Sequence, residues 1–201
     1  KNLANAVENR RQNWDSFHDR SKKFFNSVLD EFKKESFFDS LHIDEGNNRF
    51  SERKNQKTIT LYFGQHPTGI KEIEYDKNGE FKSGSLIVEK GGALHYAQSS
   101  SGQVVCIIYG CKSELLKTKD EWFLFKRYNN PSEISEGEML KGLKAFFWYN
   151  RITSYMKGFT ILDTYRLNFY KLKSLSSMLD WNMIFGVIGA IAGIASILAF
   201  L

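Results

Sequence analysis

Two short stretches of the chain mix basic and aromatic side chains: FLFKRYNN at residues 123–130 and KAFFWYNR at residues 144–151. Aromatic faces stack on planar groups, and Lys and Arg bind anions. The candidate ligand-binding residues are therefore Lys126, Arg127, Tyr128 and Arg151, and the ligand would be a small anionic molecule. Strand and helix residues whose Lys and Arg stems lie along an apolar core have the same composition, so a structural role stays open.

No other group of side chains in the sequence indicates catalysis or metal binding. The four histidines are His18, His42, His66 and His95. No two of them have the spacing of a metal-ligand pair such as H-E-x-x-H. The chain also lacks a nucleophile elbow, a Walker A loop and a dinucleotide-binding turn. We therefore expect no catalytic residue, no metal and no cofactor, and a protein that is not an enzyme.

The composition is typical of a folded chain with a mild basic excess. Hydrophobic residues make up 42% of the 201 residues, which is unlike a disordered composition. The net charge of +5 comes from 28 basic and 23 acidic residues spread over many segments, so we expect no specific nucleic-acid binding. Cys106 and Cys111 have an odd spacing that places them on opposite faces of a strand, which predicts reduced, structural thiols.

The first two thirds of the chain change from a helical to a strand-like pattern. Residues 1–35 have apolar positions at spacings of three, four and seven, which predicts an amphipathic helix. This helix either packs on its own domain or forms an oligomerising coiled coil. Residues 36–158 are predicted to form a β-rich domain with a covering helix, because alternating apolar residues mark six strands. These strands are 57–64, 70–76, 81–90, 93–98, 103–110 and 121–128, joined by the turns HPTG, KNGE, KGG and SSSG.

Helical patterns return in the last third of the chain. The covering helix at 132–158 begins with Ser135 and Glu138 in capping-box spacing, and residues 159–182 are predicted to hold a shorter juxtamembrane helix. The predicted fold class is therefore α+β: an antiparallel β-meander or partial barrel packed with flanking helices, plus one C-terminal transmembrane helix.

That transmembrane helix is predicted from the last nineteen residues, MIFGVIGAIAGIASILAFL, which contain no charged side chain. A helix of residues 183–201 would be about 28 Å long, close to the hydrocarbon thickness of a bilayer. Arg166, Lys171, Lys173 and Trp181 would lie at the membrane interface. The sequence thus predicts a single-pass, tail-anchored protein of the cell membrane whose soluble domain is cytoplasmic.

Small residues recur within this segment at spacings of three and four. They form a stripe that would allow two helices to approach closely, and its members are Gly186, Gly189, Ala190, Gly193 and Ser196. The expected partners are therefore the lipid bilayer and further copies of the chain, with a cytosolic protein or a small anion as the trigger.

In outline, a small cytosolic domain followed by a Gly/Ala-rich span, GVIGAIAGIAS, resembles the short membrane effectors of bacterial anti-phage defence systems. The resemblance implies an antiviral effector whose soluble module controls self-association of the span and so perturbs or permeates the membrane. Two other classes stay open: a membrane-tethered adaptor that binds protein without forming a pore, and an enzyme with an unrecognised site.

Overall fold

A computed structural model of the chain describes residues 2–32, 41–46, 57–112, 122–154 and 160–178. The architecture is α+β, with antiparallel sheets and helices. In chain order the elements are α1 (Asn2–Phe32), β1 (Leu41–Asp44), β2 (Thr58–Phe63), β3 (Gln65–Tyr75), β4 (Phe81–Lys90), β5 (Ala93–Gln98), β6 (Val104–Tyr109), β7 (Trp122–Tyr128), a 3₁₀ turn (Pro131–Glu133), α2 (Glu136–Thr153) and α3 (Ile161–Met178).

Five strands form one antiparallel sheet in the order β1-β2-β5-β6-β7. Alternate residues along its strands are buried, as expected when one face of an antiparallel sheet covers the core. Within the described residues β1 and β7 are the outer strands, and β2 pairs with β5 because β3 and β4 form a separate two-stranded sheet. The predicted meander or partial barrel is therefore corrected to an open sheet plus a two-stranded ribbon.

Helices α1 and α2 cover the same face of the five-stranded sheet. Tyr96 in β5 lies at the centre of this face, and its ring centroid is 5.6 Å from that of Phe17 in α1. Phe146 of α2 stacks on Phe63 of β2 at 5.4 Å. Because Phe17 is fully buried in this core, α1 packs on its own sheet, one of the two alternatives that its apolar spacing left open.

The ribbon, residues 65–90, continues the central pair of strands beyond the sheet. Two backbone hydrogen bonds carry the ladder across the junction, from the Phe63 N–H to the Gly92 oxygen and from the Gly91 N–H to the Gly64 oxygen, each 3.0 Å. Glycine is required here because a Cβ on Gly92 would lie 2.3 Å from the Tyr109 carbonyl oxygen. The ribbon thus joins the sheet where the backbones approach so closely that only glycine fits.

The predicted helix start at Ser135 is confirmed in part. The Ser135 hydroxyl accepts a hydrogen bond from the Glu138 N–H at 3.3 Å, as a capping residue does. The Glu138 carboxylate, however, binds Lys126 of β7 at 2.6 Å and Lys141 of α2 at 2.7 Å. The cap is therefore combined with a tie between the helix and the sheet.

The structure contradicts the transmembrane part of the predicted fold. Among the described residues, no helix is both long enough and apolar enough to cross a membrane. α2 and α3 have 18 residues each and α1 has 31, and all three carry charged side chains, which a bilayer core disfavours. The predicted single-pass location at the cell membrane, with a cytoplasmic soluble domain, is corrected for the same reason.

The segment in which that helix was predicted, residues 183–201, lies outside the described residues. The same holds for Trp181, predicted at the membrane interface, and for the predicted helix-packing stripe of Gly186, Gly189, Ala190, Gly193 and Ser196.

Candidate functional site

The four predicted ligand-binding residues do not converge on one site. Lys126 and Tyr128 lie on the helix-covered face of β7, and both bind one oxygen of Glu138, at 2.6 Å and 3.3 Å. Arg127, between them in the strand, points to the opposite face and is exposed. Burial raises the pKa of Tyr128, so its phenol is neutral and donates to the carboxylate. These residues tie β7 to α2, and ligand binding by them stays a prediction.

Arg151 lies at the other end of α2, about 20 Å along the helix from Glu138. Its guanidinium pairs with Asp163 of α3, which also accepts hydrogen bonds from the Trp148 indole at 2.8 Å and the Thr160 hydroxyl at 2.7 Å. The Thr160 hydroxyl first, and then the indole and the guanidinium, lower the pKa of Asp163. Arg151 therefore joins α2 to α3.

The residues of α3 that were predicted at a membrane interface contact the protein's own aromatic rings. The Arg166 guanidinium lies 4.5 Å from the centre of the Trp148 ring, and the Lys173 ammonium lies 5.6 Å from the centre of Phe125. Cations over aromatic faces are attracted by the ring quadrupole. Arg166 therefore leans toward α2 and Lys173 toward the sheet, while Lys171 lies on the other flank of α3.

One face of α3 packs against the edge of the sheet. Tyr170 stacks on Phe123 of β7 at 5.2 Å, and the Ser174 hydroxyl accepts a hydrogen bond from the Leu124 N–H at 3.1 Å. We call this the inner face of α3, and its members are Asp163, Leu167, Tyr170 and Ser174, at spacings of four, three and four.

The opposite face of α3 is apolar and exposed. Its five large side chains follow the same helical periodicity about half a turn away, and we call them the outer face: Ile161, Leu162, Tyr165, Phe169 and Leu172. Between 62% and 79% of each of these residues is accessible to solvent. A helix that is packed on one side and apolar on the opposite side is typical of one that lies between two layers. The described residues supply only one of those layers.

A second exposed apolar surface lies on the ribbon. Residues of β3 and β4 that share one face form it, and we call them the ribbon face: Ile73, Tyr75, Phe81, Leu86 and Val88. Their exposure ranges from 42% to 67%. The other face carries Glu72 and Glu74 opposite Ser85 and Ser83. The ribbon is therefore amphipathic, and beyond its base both of its sides are exposed within the described residues, the apolar side included.

A buried carboxylate fixes the base of the ribbon. Glu89 is fully buried, and one of its oxygens binds His66 of β3 at 2.8 Å and the hydroxyl of Ser154, which caps the end of α2, at 2.8 Å. The carboxylate thus lies between the serine and the imidazole, whereas activation of a serine needs the imidazole in the middle. This arrangement orients the ribbon relative to α2.

The two cysteines are buried, free thiols, as predicted. Cys111 lies beyond β6 and its Sγ contacts Asn150 of α2, so the predicted placement on opposite faces of one strand is wrong. Burial raises the pKa of Cys106 to about 12 and that of Cys111 to about 11, so both are neutral near pH 7. A neutral, buried thiol is a poor nucleophile. Within the described residues there is also no group of three or more His, Cys, Asp or Glu side chains that could hold a metal ion.

Sequence reasoning missed both apolar surfaces as functional features. It placed α3 within a juxtamembrane helix at residues 159–182 without dividing its apolar residues into two faces, and it identified the strands of the ribbon without separating them from the sheet. The alternation in IKEIEY, where Ile73 and Tyr75 are interspersed with Glu72 and Glu74, was the available signal for an amphipathic ribbon.

Comparison with known proteins gave no matching family model, no matching curated protein and no matching solved structure. The comparisons therefore supply no related defence protein in support of the predicted pore-forming, antiviral effector. The described residues also contain no helix that could cross a membrane. That prediction is corrected on these two findings.

Proposed function

We propose that this protein is a self-assembling interaction module that joins copies of itself through the outer face of α3. The observation that carries the proposal is that α3 is already packed on its inner face, yet presents five large apolar side chains, at least 62% exposed, on its outer face. Association of copies, rather than catalysis, is the activity that this geometry supports.

The outer face suits pairing with an identical face. In a twofold interface each surface meets its own copy, so the surface must be complementary to itself. Leu162, Tyr165, Phe169 and Leu172 follow spacings of three, four and three, which is the spacing of the apolar seam between two paired helices. None of these side chains carries a charge that would repel its copy.

The flanking cations do not oppose this pairing. Arg166 and Lys173 lie on one side of the outer face, and both contact aromatic rings of the same chain. The charge of Arg166 is therefore directed toward α2 and that of Lys173 toward the sheet, rather than across the proposed interface.

The size of the outer face is sufficient for a specific dimer. Five large apolar side chains with this exposure present on the order of 600 Å² of surface, which is at the upper end for an apolar patch on a monomer. A twofold pair would bury on the order of 1,200 Å² in total, the lower end of the range for stable protein interfaces.

The test compares two variants of the full chain, one with added charges inside the outer face and one with the same charges beside it. Leu162→Glu with Phe169→Glu adds two carboxylates to the outer face, and Thr164→Glu with Asn168→Glu adds the same charge on the exposed flank of the same helix. We expect sedimentation velocity to show assembly of the wild type and the flank variant, and a lower mass for the outer-face variant, with unchanged circular dichroism in all three.

Two outcomes would overturn the proposal. A wild-type chain that sediments at the 23.3 kDa of one copy at every concentration would show that the outer face does not join copies of this chain. The partner of the outer face would then be a different protein. An outer-face variant that assembles as the wild type does would show that α3 does not hold the copies together.

A further inference from the structure

We infer that the ribbon face is a second interface between copies of this chain, and that the two interfaces together build assemblies larger than a dimer. The inference rests on the proposed function for its first interface. It is carried by the position, symmetry and size of the ribbon face, which lies on a different part of the molecule from α3.

The ribbon is built so that its apolar face points away from its own chain. At its base the opposite face is buried, with Ile87 only 8% exposed and Glu89 fully buried. The Thr68 hydroxyl binds the Ile87 carbonyl oxygen at 2.9 Å across a bulge in β3. These contacts turn the polar side of the base inward, so the ribbon face is presented outward.

A two-stranded ribbon needs a covering layer on its apolar side. An isolated pair of strands is only marginally stable in water, and it gains stability when an apolar face packs on another element. The contacts at the base hold only the first residues of the ribbon, whereas Tyr75 and Phe81 lie at its tip, 63% and 67% exposed. The covering layer must therefore reach the tip.

A second ribbon supplies such a layer by symmetry. The pair Ile73 and Gly84 lies near the middle of the ribbon face, with Lys71 and Leu86 on one side and Tyr75 and Phe81 on the other. A twofold axis through the middle places the Lys71 and Leu86 pair of one copy over the Tyr75 and Phe81 pair of the next.

The chemistry of those pairs is complementary in this arrangement. Leu86 would pack on aromatic rings, and the Lys71 ammonium would lie over a ring face, a contact that attracts cations. This side of the ribbon carries no acidic side chain, and its cations are Lys71 and, at the base beyond Val88, Lys90. The twofold arrangement places Lys71 over aromatic rings and not over a lysine of the other copy.

The area is consistent with an interface between copies. Five side chains of this size, each about half exposed, present on the order of 500 Å². Two ribbons packed face to face would bury on the order of 1,000 Å² in total, the threshold for a specific contact. Because one chain would then have two different self-complementary surfaces, each copy can bind two others and assembly continues beyond the dimer.

The first experiment compares the masses of four full-length chains. The ribbon variant is Phe81→Glu with Leu86→Glu, and its control is Ser83→Lys with Ser85→Lys on the opposite face of the same strand. We expect the wild type and the control to exceed twice the mass of one chain. The ribbon variant and the outer-face variant of α3 should each form dimers, and a chain with both sets of changes should be a monomer.

These outcomes separate the two proposals. If the ribbon variant keeps the wild-type mass, the ribbon interface is overturned while the α3 interface stands. If the outer-face variant keeps the wild-type mass and the ribbon variant does not, the proposed function through α3 is overturned and the ribbon is the only interface. A wild type that stops at the dimer overturns the inference of larger assemblies.

A cross-linking experiment avoids dependence on disruptive variants. Ile73→Cys places a thiol near the proposed twofold axis, and packed sheets lie about 10 Å apart, so a short bismaleimide should join two copies within minutes. Ser85→Cys places the thiol on the opposite face and should give little product, as should the wild type, whose Cys106 and Cys111 are buried. Equal cross-linking of both variants would contradict packing through the ribbon face.

Discussion

Glu138 shows how one residue can be correctly identified from the sequence and still have another role. Its spacing from Ser135 predicted a capping box, and Ser135 does cap the helix. The carboxylate, however, binds Lys126 and Lys141, and it accepts from Tyr128. The candidate ligand residues Lys126 and Tyr128 are thus occupied by Glu138, which local spacing could not indicate because Glu138 lies ten or more residues further along the chain.

Glu138 should contribute to the acid sensitivity of the fold. Hydrogen bonds from Lys126 and then Lys141 lower its pKa from 4.5 to about 2. The unfolded chain therefore binds the proton more readily, so the stabilisation is present above pH 4.5 and is lost as the pH falls toward 2. In Glu138→Gln this stabilisation is absent at neutral pH, so the variant should have a lower free energy of unfolding than the wild type. The difference in free energy of unfolding should shrink as the pH falls from 4.5 toward 2.

Urea unfolding between pH 6 and pH 2 measures this difference. Glu136→Gln, in the same turn of α2, removes a carboxylate for which the described residues supply no ion pair, and it should follow the wild type throughout. A gap between Glu138→Gln and the wild type that stays constant down to pH 2 would contradict the role assigned to Glu138.

At the scale of elements, periodicity located most strands and helices. The predicted strands at 81–90 and 93–98 are β4 and β5, and the turn at Asn78 and Gly79 is present, with Gly79 at a φ of 81°. The HPTG segment, predicted as a turn, lies inside β3, because a bulge there accommodates Gly69 at a φ of 79°. β1, with four residues, is too short for its alternation to be recognised.

The junction between the sheet and the ribbon depends on Gly92, where two backbone segments approach closely. A methyl group at this position would lie 2.3 Å from the Tyr109 carbonyl oxygen and 2.8 Å from the Asn150 side-chain oxygen that accepts the Gly92 N–H. We expect Gly92→Ala to destabilise the fold by about 1–3 kcal/mol, the range for an overpacked core. Urea unfolding measures the loss.

Gly137→Ala, at an exposed position in the first turn of α2, is the matched control for Gly92→Ala. Its Cβ would meet the Ser135 hydroxyl oxygen at 3.7 Å, which is ordinary van der Waals contact. We expect no loss of stability, because alanine is a better helix former than glycine. Equal losses in the two variants would show that the junction does not require glycine at position 92.

At the scale of the whole molecule, the sequence showed that apolar stripes exist but not which of them would be covered. The α1 pattern fitted either a coiled coil or packing on the sheet, and the outcome depends on Tyr96 and its neighbours, far away in the sequence. In α3 two stripes lie on opposite sides, and only the position of β7 decides that Tyr170 faces inward and Phe169 outward. Coverage is a tertiary property, so periodicity alone could not assign the outer face.

The forces at the proposed interfaces differ in their response to salt from those of ion pairs. Both surfaces are apolar, and each copy carries a net charge of +5, which opposes association at low ionic strength. Salt screens this repulsion, because the Debye length falls from about 10 Å at 0.1 M to about 3 Å at 1 M, while apolar contacts are retained. Raising sodium chloride from 0.05 M to 0.5 M should therefore shift the wild type to larger assemblies at fixed protein concentration.

The chain with both sets of charge substitutions should stay monomeric at both salt concentrations, which controls for non-specific salting out. A wild type that dissociates as salt rises would indicate that charged side chains hold the copies together, and both apolar faces would lose their assigned role.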